Sequence, residues 1–437
     1  MTASIDFNSI KTQKGRLLET IHETAKWGAK GKWGPGETET GVCRLALTDL
    51  DKKVRDWFVE QVTDLGCQVK VDQVGNIFAI FPGQNEGVPT GIGSHLDTQP
   101  TGGRYDGVLG VLSGLEVLRT LKENDIVPHY PIALVNWTNE EGARFPMSMV
   151  ASGVWAEAIS LQTCLDLESF DDVPRKFGDE LKRIGYAGET PASYHANPLA
   201  CHFEIHIEQG PILENEQKKI GVVVGGQAFE WNMVTVRGKS SHSGTTPMNT
   251  RSDSLLATSR IITMAIETAE EHGGLATVGT LSLEPSSVNV IPLEVKFTLD
   301  VRHVEDAQLA KIMNVIKKKT EEIATTSINT KYAKPLSVTF DNITTSKAVK
   351  FNQTNIDTVK KAALSLFDES QVREIVSGAG HDSCFTSTRI PTSMIFIPSK
   401  DGLSHTPEEH SSPEDVENGF QVLLRTVLIY DEMRAKK

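Results

Sequence analysis

Five segments of this 437-residue chain place a histidine or a carboxylate at or just beyond a short apolar run, and that recurrence restricts the fold more than any other feature. Short apolar runs lie at 76–81, 91–95, 131–137, 203–207 and 393–398; a turn separates the first two and helical stretches are interleaved with the later ones. Val108, Val111, Leu112, Leu115 and Leu118 recur at helical spacing after the second run. Strands alternating with helices predict a layered α/β domain. In an open α/β sheet, side chains at the carboxyl ends of the strands converge on one crevice. The segments are GIGSHLD with His95, GGRYDG with Asp106, VNWTNEE with Glu140 and Glu141, FEIHIEQG with His206, and MIFIPSKDGLSHTPEE with His405.

The pattern changes between 226 and 341. Strand (229–236), helix (252–272), strand (275–283), strand (288–301), helix (304–325) and strand (336–340) give the βαββαβ order of a ferredoxin-like unit. The catalytic-type pattern resumes afterwards, which predicts a small domain at 226–341 inserted into a larger one made of 1–225 and 342–437. A chain this long exceeds what one core usually organises, in keeping with that division.

The formal net charge of −13 argues against a nucleic-acid or anionic-membrane surface, since either needs a basic patch. An anionic substrate has to be caught locally, by particular arginines. Cys43, Cys67, Cys164, Cys201 and Cys384 are odd in number, scattered and without a C-x-x-C pair, so they read as free thiols. The N-terminal stretch lacks the apolar core of a signal peptide, and no run is long enough to span a bilayer. A cytoplasmic, reducing location is expected.

Imidazole and carboxylate donors that leave a position open for water suit hydrolytic zinc. His95 has a bland alternative as a buried, hydrogen-bonded histidine. Asp97, two residues on, is expected to orient its imidazole as an outer carboxylate, which favours a ligand. The 102–107 loop lacks the Lys-Ser/Thr of a phosphate loop, so Asp106 reads as a ligand. Neighbouring side chains such as Glu140 and Glu141 point different ways. One is therefore expected to bind metal while the other handles protons, work worth roughly 10²–10⁴ in rate. His242 sits beside a GKSS string, but Met233 stands where a P-loop needs glycine. Arg302, in FTLDVRH, is either a surface strand charge or a bidentate carboxylate clamp.

Taken together, GSHLDTQPTGGRYDGVLGVL, NEEGARF, HIEQGPILE, SHSGTTPM, VNVIP, SGAGHDSC and PSKDGLSHTPEE resemble the M20 metallopeptidase-like family over nearly the whole chain. The likeness is greatest to its carbamoyl-hydrolysing branch of β-alanine synthase (β-ureidopropionase), N-carbamoyl-L-amino-acid hydrolase and allantoate amidohydrolase, with the fungal-type β-alanine synthases nearest. The resemblance implies two divalent ions, zinc or alternatively manganese, nickel or cobalt. His95 and His206 would hold one, Glu141 and His405 the other, with Asp106 bridging. It implies Glu140 as general base, His242 as oxyanion partner, and Arg302, Asn289, Gln209 and His381 as substrate contacts. It also implies that the inserted domain is a lid and homodimer contact, and that the substrate is a small carboxylate-bearing N-carbamoyl amino acid, foremost 3-ureidopropionate. Rival readings are another amide (a dipeptide, an N-acyl amino acid or allantoate) or a non-catalytic binding or scaffold protein. The chain departs from the family pattern at Leu293 after VNVIP and at Glu157 after VWA, where relatives usually carry glycine.

Overall fold

The computed structural model describes residues 7–326 and 335–436. The chain forms two compact units, one running up to Gly225 and resuming at Lys350, the other spanning Gly226–Val349. The return therefore comes later than position 342, because the strand Ser337–Ser346 runs straight through that point. Its apolar alternation fades after Phe340. Its backbone nevertheless stays paired with Ala228–Arg237 from Ser337 opposite Arg237 to Ser346 opposite Phe229, past an irregularity at 342–344. Main-chain pairing of a polar edge strand leaves no hydrophobic period to read.

Among the described residues, the larger unit is built on a nine-stranded sheet. Its centre consists of Thr392–Ile397, Cys201–Ile207, Thr90–His95 and Ile132–Trp137, neighbours in that order and mutually parallel. Every residue of these four strands is buried. Parallel strands covered on both faces tend to read as apolar runs; here the apolar stretches are interrupted by buried polar residues such as Ser94, Asn136, His202 and Glu204. Ile77–Phe81 and Gln68–Val71 continue the sheet antiparallel on one side. On the other side Ile220–Gly226 runs antiparallel to Thr392–Ile397.

The helix Val108–Glu123 packs on the Thr90–His95 strand. Two glycines permit the approach: a Cβ on Gly110 would stand 2.5 Å from Ser94 Cβ, and one on Gly114 would stand 2.4 Å from Leu134 Cδ1. Close packing here fixes the start of the helix, and with it the preceding loop. Glu157, the departure noted after VWA, has φ 55°, a conformation that favours glycine, and its carboxylate accepts a 2.6 Å hydrogen bond from Ser193 Oγ.

In the second unit, Leu275–Thr277, Glu294–His303, Ala228–Arg237 and Ser337–Ser346 form an antiparallel sheet in that order. Helices Ser254–Glu271 and Asp306–Thr326 contribute Ile261, Ala265, Ile312 and Ile316 to a core with Val234, Phe297 and Leu299. Two strands expected to be continuous are broken. The 275–283 run divides into Leu275–Thr277 and Leu281–Glu284, both paired to Glu294–His303. The 288–301 run divides at Pro292, whose missing N–H cannot serve a ladder; Val290–Ile291 pairs separately with Ser241–His242. All five cysteines are free thiols. No helix among the described residues is long and apolar enough to cross a membrane.

Candidate metal centre

The larger unit gathers its ligand-type side chains at the carboxyl ends of the four parallel strands. His95 ends its strand, His206 is the last residue but one of Cys201–Ile207, and Glu140 and Glu141 follow Trp137 by three and four residues. His405 follows the Thr392–Ile397 strand beyond a short turn at Lys400–Gly402. Asp106 lies in the loop before the Val108–Glu123 helix. Three of the approach segments carry a non-glycine residue in the left-handed region, with φ 55° at Asn139, 58° at Gln209 and 56° at His405. Such conformations cost energy and collect at functional sites.

Asp106 is the hub. Its Oδ1 lies 3.1 Å from His206 Nε2 and 3.5 Å from His95 Nε2, while its Oδ2 lies 3.3 Å from His405 Nε2. Glu141 Oε2 is 3.5 Å from His405 Nε2, and Glu140 Oε2 is 3.5 Å from His95 Nε2. Of three donor groups among the described residues, two share the Asp106 carboxylate, one of His95, Asp106 and His206 and the other of Asp106, Glu141 and His405; the third is Glu204, His206 and His381.

The imidazoles are set up as ligands. His95 Nδ1 lies 2.9 Å from the Asp97 carbonyl oxygen and His206 Nδ1 lies 2.8 Å from the Ile207 carbonyl oxygen. A carbonyl only accepts, so Nδ1 carries the proton in each neutral ring and Nε2 presents a lone pair. His95 Nε2 and Glu141 Oε1 are buried with no hydrogen-bond partner, although Gly107 N donates to His206 Nε2 at 3.2 Å. Buried polar atoms without partners need an explanation, and this donor set fits a pair of divalent cations.

The titration behaviour agrees with a carboxylate cluster awaiting positive charge. Burial alone would push Asp106 up, but the His206, His405 and His95 rings, when protonated, hold it well below the usual carboxylate range. Burial and the neighbouring Asp106 charge push Glu141 up to about 8, and burial pushes Glu140 up strongly. The hydrogen bond to Asp106 raises His405 to about 9.

Asp97 acts differently from expectation. Its carboxylate stands 4.0 Å from His95 Nδ1, whereas its two oxygens accept 3.3 Å hydrogen bonds from the main-chain N–H groups of Glu140 and Glu141. Two residues after His95 the strand has ended, so the side chain no longer shares the imidazole's face. Its main-chain carbonyl orients the ring, while its side chain holds the glutamate pair. Gln209, expected at the substrate, sits in the cluster and donates to Asp106 Oδ2 at 2.8 Å and to Ser404 Oγ at 3.1 Å. His381, also expected at the substrate, is buried against His206 with ring centroids 4.5 Å apart, and its Nε2 is within 2.9 Å of Ser377 Oγ. Burial lowers it to about 3, so it stays neutral. Glu204, beside these rings, already accepts from Ser94 Oγ, Ser383 N and Ser383 Oγ, and carries no unmet demand for a cation.

His242, Asn289 and Arg302 belong to the second unit. His242 and Asn289 are exposed on adjoining segments, with His242 opposite Val290 and Ser243 N donating to the Asn289 carbonyl at 3.0 Å. His242 Nδ1 accepts from Gly244 N at 3.0 Å, which leaves Nε2 as the protonated nitrogen of the neutral ring. Arg302 stacks over Phe229 at 5.5 Å and donates from Nε and Nη2 to Asp300 at 2.7–3.1 Å. One side of its fork is thus engaged by a carboxylate of its own strand.

Sequence reasoning missed three polar residues around the cluster. Gln99 Nε2 donates to Glu141 Oε2 at 2.7 Å. Buried Asp382 accepts a 2.5 Å hydrogen bond from Ser152 Oγ. Buried Glu409 accepts from the main chain of the Asp106 loop. A glutamate in HTPEEH looks like one more solvated charge, and only its place two residues beyond Pro407 in a ligand-bearing motif hinted otherwise.

Parallel strands ending in a shared His/Asp/Glu cluster define an α/β scaffold with a candidate metal site, and comparison with known proteins narrows the class. The model of peptidase family M20/M25/M40 matches residues 91–429, and the chain belongs to that family. It is 39% identical over 416 residues to an N-carbamoyl-L-amino-acid amidohydrolase of Rhizobium meliloti, covering 94% of this chain and 95% of that one. It is 33% identical over 390 residues to a ureidoglycolate hydrolase of Oryza sativa subsp. japonica, covering 87% and 79%. The crystal structure of an amidase of the hydantoinase/carbamoylase family from Burkholderia multivorans superposes with a TM-score of 0.87 at 44% identity, covering 96% of this chain and 98% of that one.

Proposed function

We propose that this protein is a zinc-dependent amidohydrolase that cuts the carbamoyl C–N bond of N-carbamoyl amino acids. The observation that carries the reading is the division of Asp106, with one oxygen on the His95/His206 side and the other on the His405/Glu141 side. His95 and His206 would hold one cation, His405 and Glu141 the other, with Asp106 common to both. When bound, such ions polarise a carbonyl and make water a nucleophile at neutral pH.

Glu140 receives the proton of the attacking water and delivers it to the departing nitrogen. Burial pushes Glu140 well above the usual carboxylate range, opposed by His95 and reinforced by Asp382, Glu141 and Asp106, so the form that carries a proton to the leaving nitrogen is favoured. Water oxygen bonds to the ureido carbon and one C–N bond breaks, releasing ammonia; the carbamate left on the amino acid then loses carbon dioxide, which breaks the second C–N bond and frees the amino acid. Arg302 binds the substrate carboxylate beside Asn289, His242 Nε2–H faces the oxyanion, and the second unit serves as lid and homodimer contact. Local charge matters because the chain as a whole is acidic.

The names of the relatives put N-carbamoyl-L-α-amino acids first, and the motif resemblance keeps 3-ureidopropionate as the next candidate. A panel of N-carbamoyl-α-amino acids, 3-ureidopropionate, ureidoglycolate, allantoate and dipeptides, offered to zinc-loaded protein, tests the reading. Equal release of ammonia and free amino acid from the carbamoyl compounds is expected. Hydrolysis of dipeptides alone, or of nothing, would overturn it.

A further inference from the structure

The metal centre is cross-braced by a residue that is neither ligand nor base. Glu409 is 3% exposed, and its Oε1 accepts 3.0 Å hydrogen bonds from both Tyr105 N and Asp106 N. Its Oε2 is 2.9 Å from Ser404 Oγ, which itself lies 3.1 Å from Asp106 Oδ2. The glutamate sits four residues after His405, so one side chain ties the loop carrying one ligand to the loop carrying another.

The Asp106 loop is shaped to receive it. A Cβ on Gly103 would stand 2.3 Å from both Glu409 Cβ and Oε1, so only glycine lets the loop settle on this carboxylate. At the other end of the loop Gly107 (φ +66°) passes the His95 ring, where a Cβ would stand 2.2 Å from Nε2. The loop is thus pinned between Glu409 and His95, and the direction of the Asp106 side chain follows from its pinned backbone. Because Asp106 serves both donor groups, a small rotation there would degrade both at once.

We propose that Glu409 is a positioning residue for metal binding: it clamps the main chain of Tyr105 and Asp106 onto the His405 loop and so aims the shared carboxylate. The inference rests on the two-cation reading above. What matters is reach and acceptor geometry rather than charge, since one oxygen accepts both N–H groups and an amide oxygen has the two lone pairs to do the same. Outer groups that orient ligands typically govern affinity by 10–100-fold.

The test is the Zn²⁺ dissociation constant of the stripped full-length protein, read by competition with a chromophoric chelator, with kcat and KM measured in parallel. Glu409→Gln keeps reach and acceptor and is expected to bind zinc within about threefold of the parent. Glu409→Asp keeps the charge but is one methylene short, and is expected to bind about 10–100-fold more weakly, with kcat reduced and KM little changed. Circular dichroism and melting temperature confirm that both variants fold. Wild-type affinity in Glu409→Asp, or equal losses in both variants, would overturn the proposal. A parent protein that takes up no zinc would instead bring down the metal reading itself.

Discussion

The residues assigned to chemistry fall into two populations with opposite physical character. In the larger unit His95, Asp106, Glu140 and His206 are 6% exposed or less, and each is fixed by a main-chain or side-chain partner; His405 is the exception there, with 51% of its side chain exposed. In the second unit His242 and Asn289 are exposed, and Arg302 rests on Asp300 and Phe229. The first population is organised before anything binds. The second presents donors whose worth depends on the ligand that meets them. Preorganised groups should govern turnover and metal retention, and exposed ones should govern affinity.

Stripping the protein with a chelator is the bluntest way to break this contrast. Activity should vanish and return with zinc, while the second unit keeps its structure by circular dichroism. Glu140→Gln comes next: it should hold zinc at parent stoichiometry by elemental analysis while kcat falls by roughly 10²–10⁴. An Arg302→Ala variant sharpens the other side, since losing a charge-assisted contact of about 1.5–3 kcal/mol predicts a KM raised about 10–100-fold with zinc content unchanged. If kcat rather than KM carries that loss, Arg302 belongs with the preorganised group. Gly107→Ala should show its effect in stability as well as metal retention. The left-handed backbone and the approach to His95 predict a loss of roughly 1–3 kcal/mol, seen as a lower melting temperature. The smallest effect is expected at Asn289→Ala, a change of KM by a few-fold with kcat, zinc and melting temperature unaltered.

Much of this arrangement was legible in the sequence, for a reason particular to the four central strands. Each is buried on both faces, so it reads as an apolar run, and the residue that ends the run stands at the crevice. His95 closes its strand and His206 lies one residue before the end of its own, so both fall near that crevice. What stayed hidden were side chains acting on backbone. Asp97 and Glu409 each hold two consecutive main-chain N–H groups, a bond that leaves no periodicity and no motif. Asp97 looked like a partner for an imidazole because only side chains are visible in a sequence. The edge of the second unit was misread for a related reason: polar residues after Phe340 keep their ladder to Ala228–Arg237 with no apolar face to announce it.

If Asp106 serves two cations, as proposed, its sharing has a thermodynamic consequence. Two binding positions that draw on one side chain cannot fill independently. Whatever factor the first occupant changes the second's affinity by, the second changes the first's by the same factor. A half-filled protein would then be a distinct species with its own affinity for the next ion, and one aspartate would link cation supply to catalytic competence.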